Sequence, residues 1–345
     1  MKHWKKLLSL TLVLALVLAL AGCGGTDTQD TGTEEQTQTE EQAEEPVTGE
    51  SYAIAALKGP TAMGLVKLMS EAESGADFIN DYTFTLAASA DEVSPLLMKG
   101  ELDMACVPAN LAAVLYQKTE GDIVTLAVNT LGVLYIVENG NAVQSMADLK
   151  GKTIVASGKG STPEYALRYL LSENGLDPDT DVTIDWKSEH SECVSALATG
   201  AATIAMLPQP FVTVAQSKIE GLRVALDLTE QWDALDNGSA LLTGVIVARR
   251  EVVEANPAAV DAFLKDYAGS VEWVNANTAD AAELIGSYDI VEAAVAEKAL
   301  PYCNIVCITG AEMKDKLSGY LQVLADADAS SVGGAMPGDD FYYGA

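Results

Sequence analysis

The sequence predicts an α/β protein built as two lobes, with the chain crossing between them twice. Three observations carry this. First, an apolar, β-compatible run meets a short Gly- or Pro-rich turn and then apolar residues at helical spacing four times over, after Leu57, Val107, Ala156 and Leu207. Second, two of these strand–turn–helix units precede a pair of strand-like runs, 122–129 and 131–138, and two follow it. Third, 345 residues, 49% hydrophobic and 20% charged, are enough to bury a large core in two compact halves.

The first fifty residues stand apart from that pattern. Lys2, Lys5 and Lys6 precede an apolar run over 10–21 that ends Leu20-Ala21-Gly22-Cys23. A basic start, an apolar segment shorter than the ~20 residues of a membrane span, and small residues at its end describe a secretory signal. Residues 26–50 hold Thr, Gln, Gly and nine acidic residues with no aromatic. Such a segment cannot bury a core and reads as a solvated tether.

Residues 52–57 (YAIAAL) form the first strand. Lys58-Gly59-Pro60-Thr61 breaks it, and Ala62, Leu65, Val66, Met69 and Ala72 return at helical spacing. A helix N-terminus leaves N–H groups unpaired and carries about half a positive charge, so this turn suits a small anion or polar ligand. Residues 82–88 alternate as a strand and 91–97 make a short helix. The second unit runs from the strand 102–107 through Pro108-Ala109-Asn110, with Asn110 as helix cap and its amide offered to a ligand. The runs 122–129 and 131–138, split by Thr130, predict a crossing with its hinge over Thr130 to Gly132.

The third unit is the strand 153–156 (TIVA), the turn Ser157-Gly158-Lys159-Gly160-Ser161-Thr162-Pro163, and a helix over 164–174 stopped by Gly175. No Gly-Lys-Ser/Thr ends the turn, so it is no nucleotide P-loop. A nest of N–H groups with hydroxyls and Lys159 suits a carboxylate, sulfonate or phosphate much smaller than a nucleotide. A strand over 182–186 and a helix over 191–199 follow. The fourth unit is the strand 203–207, Pro208-Gln209-Pro210 and the helix 211–218, with Gln209 as a two-sided hydrogen-bonding group at its tip. Trp232, in a polar stretch, either stacks on a ligand or packs the lobe, and packing is favoured. Residues 240–248 form a long strand with Gly244 inside it, the second hinge crossing. Beyond Asn256-Pro257 the pattern is helical over 258–275, 279–287, 291–299 and 309–327, the last opened by a Thr309/Glu312 capping box. The final Phe341-Tyr342-Tyr343 is expected to pack back on the domain. The organisation predicted is a signal over 1–22, a tether over 23–50, a first lobe over 51–130 plus 242–345, and a second over 131–241.

Net charge is −30, and the residues after position 50 hold 17 basic and 41 acidic groups, a balance of −24. Such a surface repels nucleic acid and anionic lipid heads, so neither is an expected partner. Any anionic ligand would have to be held locally, by helix N-termini and a few lysines. Four cysteines besides Cys23 (Cys106, Cys193, Cys303 and Cys307) allow three pairings, among which the sequence does not choose. Cys303 and Cys307 would meet only if their segment is helical. Beyond the signal the only histidine is His190, and no Cys/His cluster has zinc spacing. No turn places a histidine, a reactive cysteine with a base, or a carboxylate pair. No metal, cofactor or catalytic residue is therefore expected.

The ending Leu-Ala-Gly-Cys resembles the lipobox of bacterial lipoproteins, which implies cleavage before Cys23 and lipidation of its thiol. The stretches LKGPTAMGLVKLM at 57, VPANLAAVLY at 107, ADLKGKTIVASGKGSTPEYALRYLL at 147 and AMLPQPFVTVA at 205, with the ending GDDFYY, resemble solute-binding lipoproteins of ABC importers in the nitrate/sulfonate/taurine-like and thiamine-pyrimidine-like group. The resemblance implies a type II periplasmic-binding-protein fold that closes by hinge bending. It implies a small-molecule solute between the lobes, against Lys58, Gly59, Pro60 and Thr61, against Pro108, Ala109 and Asn110, against Lys159, Gly160, Ser161 and Thr162, and against Pro208 and Gln209. Thr130 and Gly132 would line the floor. It further implies ABC permease subunits as partners and a monomer held outside the cytoplasm by lipid at Cys23. The chain departs from sulfonate and nitrate binders in having no arginine in the cleft turns. Two other readings stay open: an enzyme on the same fold (dehydratase-like or pyrimidine-synthase-like), and a solute-sensing lipoprotein.

Overall fold

The computed structural model describes residues 48–345, so the signal, Cys23 and most of the tether lie outside the described residues. The described chain is mixed α/β with two sheets. The elements in order are β1 (Ser51–Leu57), α1 (Pro60–Met63), α2 (Val66–Glu73), β2 (Asp81–Ala87), α3 (Ala90–Met98), β3 (Met104–Pro108), α4 (Ala109–Lys118), β4 (Ile123–Leu131) and β5 (Leu134–Glu138). There follow β6 (Thr153–Ser157), α5 (Thr162–Glu173), β7 (Thr183–Lys187), α6 (His190–Ala198), β8 (Ile204–Pro208), α7 (Phe211–Lys218), β9 (Arg223–Asp227), α8 (Leu228–Asp233) and β10 (Leu242–Arg249). The chain ends with α9 (Arg250–Ala255), α10 (Pro257–Ala276), α11 (Thr278–Ser287), α12 (Ala293–Ala299), β11 (Ile305–Ile308) and α13 (Gly310–Ala327).

The first sheet has the order β11-β4-β10-β3-β1-β2 and the second β7-β6-β8-β5-β9. Inward from β2, the strands β2, β1 and β3 are parallel, β10 is antiparallel, and β4 follows. Inward from β7, the strands β7, β6 and β8 are parallel, β5 is antiparallel, and β9 follows. The two sheets are the same device built twice. Sequence echoes it: Leu97, Gly100, Ala105 and Pro108 recur as Leu197, Gly200, Ala205 and Pro208. Central strands such as β3 (MACVP) and β8 (IAMLP) are apolar throughout because helices cover both faces. Edge strand β2 alternates instead, with Asp81, Thr83 and Thr85 exposed.

Successive β1 residues feed opposite faces. Ile54 and Ala56 join α2 and α10 in one core, whereas Ala55 joins α4 in another. That second core runs on into the other sheet's helices: Ala112 and Leu115 of α4, Leu167 and Leu170 of α5, and Leu317 and Tyr320 of α13 share it with Trp232. Trp232 is fully buried between the rings of Tyr169 (4.8 Å) and Tyr320 (5.5 Å), and its indole N–H donates to Ser239 Oγ at 3.0 Å. Packing is its role. The closing aromatics also pack as expected: Phe341 is fully buried 5.3 Å from Tyr116, and Tyr343 N donates to the Thr125 carbonyl.

Three expectations need correction, and the cysteine question is answered. Gly244 is no crossing. It lies inside the first sheet opposite Pro108 and Thr130, and a Cβ there would come within 2.5 Å of Asn129 Oδ1 and Thr61 Cγ2. The chain leaves the first sheet through Gly132-Val133 and returns through 228–241. These two passages touch, because a Cβ on Gly132 would overlap the Thr229 side chain. Asn110 is not the cap of α4, since Pro108 holds that position and Asn110 sits inside the helix. The Thr309/Glu312 capping box does not form, the Thr309 side chain making no cap bond to α13. Cys303 and Cys307 flank and enter strand β11 rather than a helix, and the four cysteines in the described residues are free thiols.

Candidate functional site

The sheets meet at the carboxyl ends of their parallel strands. Pro108 ends β3 opposite Gly244, and Pro208 ends β8 opposite Leu134. Thr130 and Leu134 lie on either side of the Gly132 passage, and Gln209 N donates to the Val133 carbonyl at 3.0 Å. One short crossing therefore brings the ends of β3 and β8 together. Side chains from both sheets converge there.

The floor belongs to the first sheet. Thr130, fully buried, donates through Oγ1 to Asn129 Oδ1 at 3.1 Å, and Asn129 Nδ2 donates to the Thr61 carbonyl at 3.3 Å. Thr61 Oγ1 donates back to the Leu57 carbonyl at 2.9 Å, which closes the turn after β1. Gly244 leaves the space that this cluster fills. The Gly132 carbonyl accepts from Asn304 Nδ2 at 2.6 Å, fixing the passage from below.

Thr162, at the start of α5, reaches across from the second sheet. Its Oγ1 lies 3.4 Å from Asn110 Oδ1, while Asn110 Nδ2 donates to the Ser331 carbonyl at 3.1 Å. Asn110, Thr162 and Ser331 are all buried. The Tyr320 hydroxyl is buried and faces Thr162, and the buried hydroxyls of Ser331, Thr229 and Thr243 have no hydrogen-bond partner within the protein. Buried polar groups are almost always paired, so three orphaned hydroxyls near the meeting of the two sheets stand out.

The rim is set by the outer strand ends. Lys58 and Lys159 are exposed and, among the described residues, neither enters an ion pair. The Gly160 N–H donates to Glu164 Oε2 at 2.7 Å, and Ser161 holds the N-cap position of α5 with its hydroxyl turned to the Gly158 carbonyl at 2.8 Å. Ser157 Oγ and His190 Nδ1 are in hydrogen-bond contact, and the His190 ring packs on Phe211 at 4.9 Å. Burial pushes the His190 imidazole down to about 4, so it is neutral near pH 7. Gln209, buried, turns its Oε1 to Thr213 Oγ1 (2.9 Å) and Thr213 N (3.3 Å) rather than presenting both sides at a tip.

Of the residues expected at the site, Thr61, Thr130, Gly132, Pro108, Ala109, Asn110, Thr162, Pro208 and Gln209 come together around the crossing. Lys58, Lys159 and Gly160 stay on the exposed outer rim with Gly59, Pro60 and Ser161 beside them. Asn129, His190, Tyr320 and Ser331 were not anticipated, and Ser157 was named only as part of its turn. His190 had a readable signal: it opens the helix after β7, a strand–turn–helix unit that lacks the Gly/Pro punctuation of the other four. An open groove of about 740 Å³ between α5 and the end of α13, lined by Tyr165, Arg168, Tyr169 and Asp328, lies one to three turns along α5 from this junction. It holds none of the converging groups. Among the described residues no cluster of His, Cys, Asp or Glu is placed to hold a metal, and no helix is long and apolar enough to cross a membrane.

Residues 80–269 match the family described as ABC transporter, phosphonate, periplasmic substrate-binding protein. No curated protein sequence matches the chain. Among solved structures, an ABC transporter protein from Parabacteroides distasonis is similar at 21% identity, covering 85% of this chain and 98% of that one, with a TM-score of 0.71. The periplasmic aliphatic sulphonate binding protein of Escherichia coli is similar at 19% identity, covering 81% and 92%, with a TM-score of 0.67. The alkanesulfonate-binding protein of Xanthomonas axonopodis pv. citri, bound to MOPS, is similar at 19% identity, covering 86% and 96%, with a TM-score of 0.64. At these identities the likeness is one of fold.

Proposed function

This chain belongs to the family of ABC-transporter periplasmic substrate-binding proteins, matched over more than half its length, and on that premise we propose that it captures a small polar organic solute between its two lobes. The observation that carries this is the meeting of the two sheets' strand ends, where Thr162 of one reaches Asn110 of the other beside orphaned buried hydroxyls. Thr61, Thr130, Asn110, Thr162 and Gln209 are the binding groups in this reading, with Gly132 allowing the two passages to approach. Lys58, Gly59, Pro60, Lys159, Gly160 and Ser161 form the mouth, and Pro108, Ala109 and Pro208 set the backbone. Closure of the lobes would desolvate the hydroxyls and raise affinity for a solute that pairs them.

In the same reading the protein is a lipoprotein anchored through Cys23 on the extracytoplasmic face, delivering solute to ABC permease subunits. The sequence from Lys2 to Cys23 supports the anchor. Calorimetric titration with small solutes tests the site. A Thr162→Ala or Thr130→Ala change is expected to weaken binding at least about tenfold, the ~1.4 kcal/mol of one good hydrogen bond. Binding unchanged in both variants would remove the site from this junction. Mass measurement of the membrane-extracted chain tests the anchor: an unmodified Cys23 thiol would refute it.

A further inference from the structure

We propose that the solute of this site is an uncharged, hydrogen-bonding organic molecule and not an oxyanion. The inference rests on the interlobe site proposed above and names the class of molecule that it takes. A fold of this kind binds oxyanions most directly through helix N-termini and arginines. Here the arginines, and the turns ahead of four of the helices, are engaged within the protein.

Six helices start at the carboxyl ends of parallel strands, and the protein answers most of those N-termini itself. The turn N–H of Gly160, ahead of α5, donates to Glu164 Oε2 at 2.7 Å. The turn N–H of Ser188, ahead of α6, donates to Glu192 Oε2 at 2.9 Å. Ahead of α3, Ser89 Oγ donates to Glu92 Oε1 at 3.2 Å. Each glutamate is the third residue of its helix, where a negative charge matches the positive end of the macrodipole. At α7, Gln209 Oε1 takes the N–H and hydroxyl of Thr213. At α1, Pro60 in the first turn has no N–H to give, whereas at α4 Pro108 is the cap and the first-turn N–H groups of Ala109 and Asn110 remain. An oxyanion at the α5 or α6 turn would have to displace a carboxylate and then sit beside it.

The arginines are committed elsewhere too. All four arginines of the chain are paired with carboxylates: Arg168 with Asp179, Arg223 with Glu138, Arg249 with Asp103 and Arg250 with Asp340. None of these pairs lies at the strand ends that meet. Lys58 and Lys159 are exposed on the rim, and His190 is neutral. What converges in the interior is hydroxyl and amide: Thr130, Asn110, Thr162, Tyr320, Ser331 and Thr229. A hydroxyl can donate and accept, so this set suits a molecule that offers both N–H or O–H and carbonyl or ether oxygen.

The test is calorimetric titration of the full chain in detergent with two sets of probes. One set is methylphosphonate, ethanesulfonate and nitrate; the other is uracil, uridine, nicotinamide and ribose. The expected result is no anion binding tighter than about 1 mM and binding of at least one neutral probe below that limit. In Glu164→Ala and Glu192→Ala the freed N–H groups are expected to gain methylphosphonate binding at least about tenfold tighter than wild type, while Glu164→Gln behaves like wild type. Circular dichroism establishes that each variant is folded. Submillimolar binding of any of the three anions by wild type overturns the uncharged class and leaves the solute-binding reading standing. Absence of binding by every probe to wild type, with no gain in either alanine variant, overturns both.

Discussion

The two sheets share strand order and strand direction, yet they use their polar side chains differently. In the half built on the first sheet, the amides reach far along the chain: Asn110 to Ser331, Asn129 to Thr61, Asn80 to the Ala259 carbonyl at 2.8 Å, and Asn304 to Gly132. In the half built on the second sheet the side chains at the helix starts stay local: Gln209 to Thr213, Glu164 to Gly160, and Glu192 to Ser188, each four residues apart, while Asn237 to Tyr169 and Arg223 to Glu138 are its long-range bonds. The same strand–turn–helix device thus does two jobs. One half is tied together by its turns. The other has turns that are satisfied mostly on their own, with Thr162 reaching across to Asn110.

The largest effect tests the core that both halves share. Trp232→Ala is expected to cost about 3–5 kcal/mol, read from urea denaturation, because a buried indole leaves a cavity between Tyr169 and Tyr320. Hydrogen exchange should speed up in both α5 and α13; acceleration in one alone would mean that the core is not shared. The next prediction sets the two kinds of turn against each other. Asn110→Ala breaks a buried tertiary bond and should cost about 1–3 kcal/mol, whereas Gln209→Ala loses a local cap and should cost about 1 kcal/mol. Equal losses would erase the contrast.

Acid sharpens it further. The His190 imidazole, pushed down to about 4 by burial, titrates near 6.5 in the unfolded chain. The unfolded chain takes the proton first, so the stability present above that unfolded value is lost as pH falls toward 4. Burial alone would push the Glu138 carboxyl up, but the N–H groups of Ala142 and Val143 and the Arg223 guanidinium together hold it below its ordinary value. Its contribution is present above the unfolded carboxylate value and fades as pH falls below that. Both groups sit in the second half. In the first, burial raises the Asp266 carboxyl, so its ionisation penalty is relieved on acidification, the opposite sign. Thermal midpoints from pH 7 to 4.5 should therefore fall, and His190→Asn should flatten the fall; an unchanged slope would refute the assignment. The smallest effect comes from a hydroxyl. Tyr320→Phe removes a buried hydroxyl whose one neighbouring hydroxyl is Thr162 and should change stability by no more than about 1 kcal/mol, at a loss of solute affinity if that hydroxyl serves the site.

Much of this fold was legible because its central strands are unbroken apolar runs punctuated by Gly and Pro, as at MACVP before Ala109 and IAMLP before Gln209. Thr61, Asn110, Thr162 and Gln209 were visible for the same reason, since they stand at that punctuation. Their partners were not. Ser331 lies 221 residues from Asn110, and no local pattern links them. The glutamates that fill the helix starts left a trace in Ser89-x-x-Glu92 and Ser161-x-x-Glu164, the capping-box spacing. None of the three serines or threonines makes a side-chain cap bond, and Thr309-x-x-Glu312 has that spacing too without a glutamate bond back to its turn, so spacing alone does not decide it. Gly244 looked like a hinge because a glycine in a strand marks either a bend or a close approach, and here it marks the approach of Asn129 and Thr61.

The strand order also dictates a timetable. Every strand of the second sheet comes from one continuous stretch, Leu134 to Asp227. The first sheet waits for β10, for β11 and finally for Tyr343, whose N–H pairs with Thr125. A chain emerging N-terminus first can complete the second sheet while β1 to β4 still lack their antiparallel partner. Until its last residues arrive, the unpaired flank of β4 is an open template, and the early strands are the part of the molecule most in need of a chaperone.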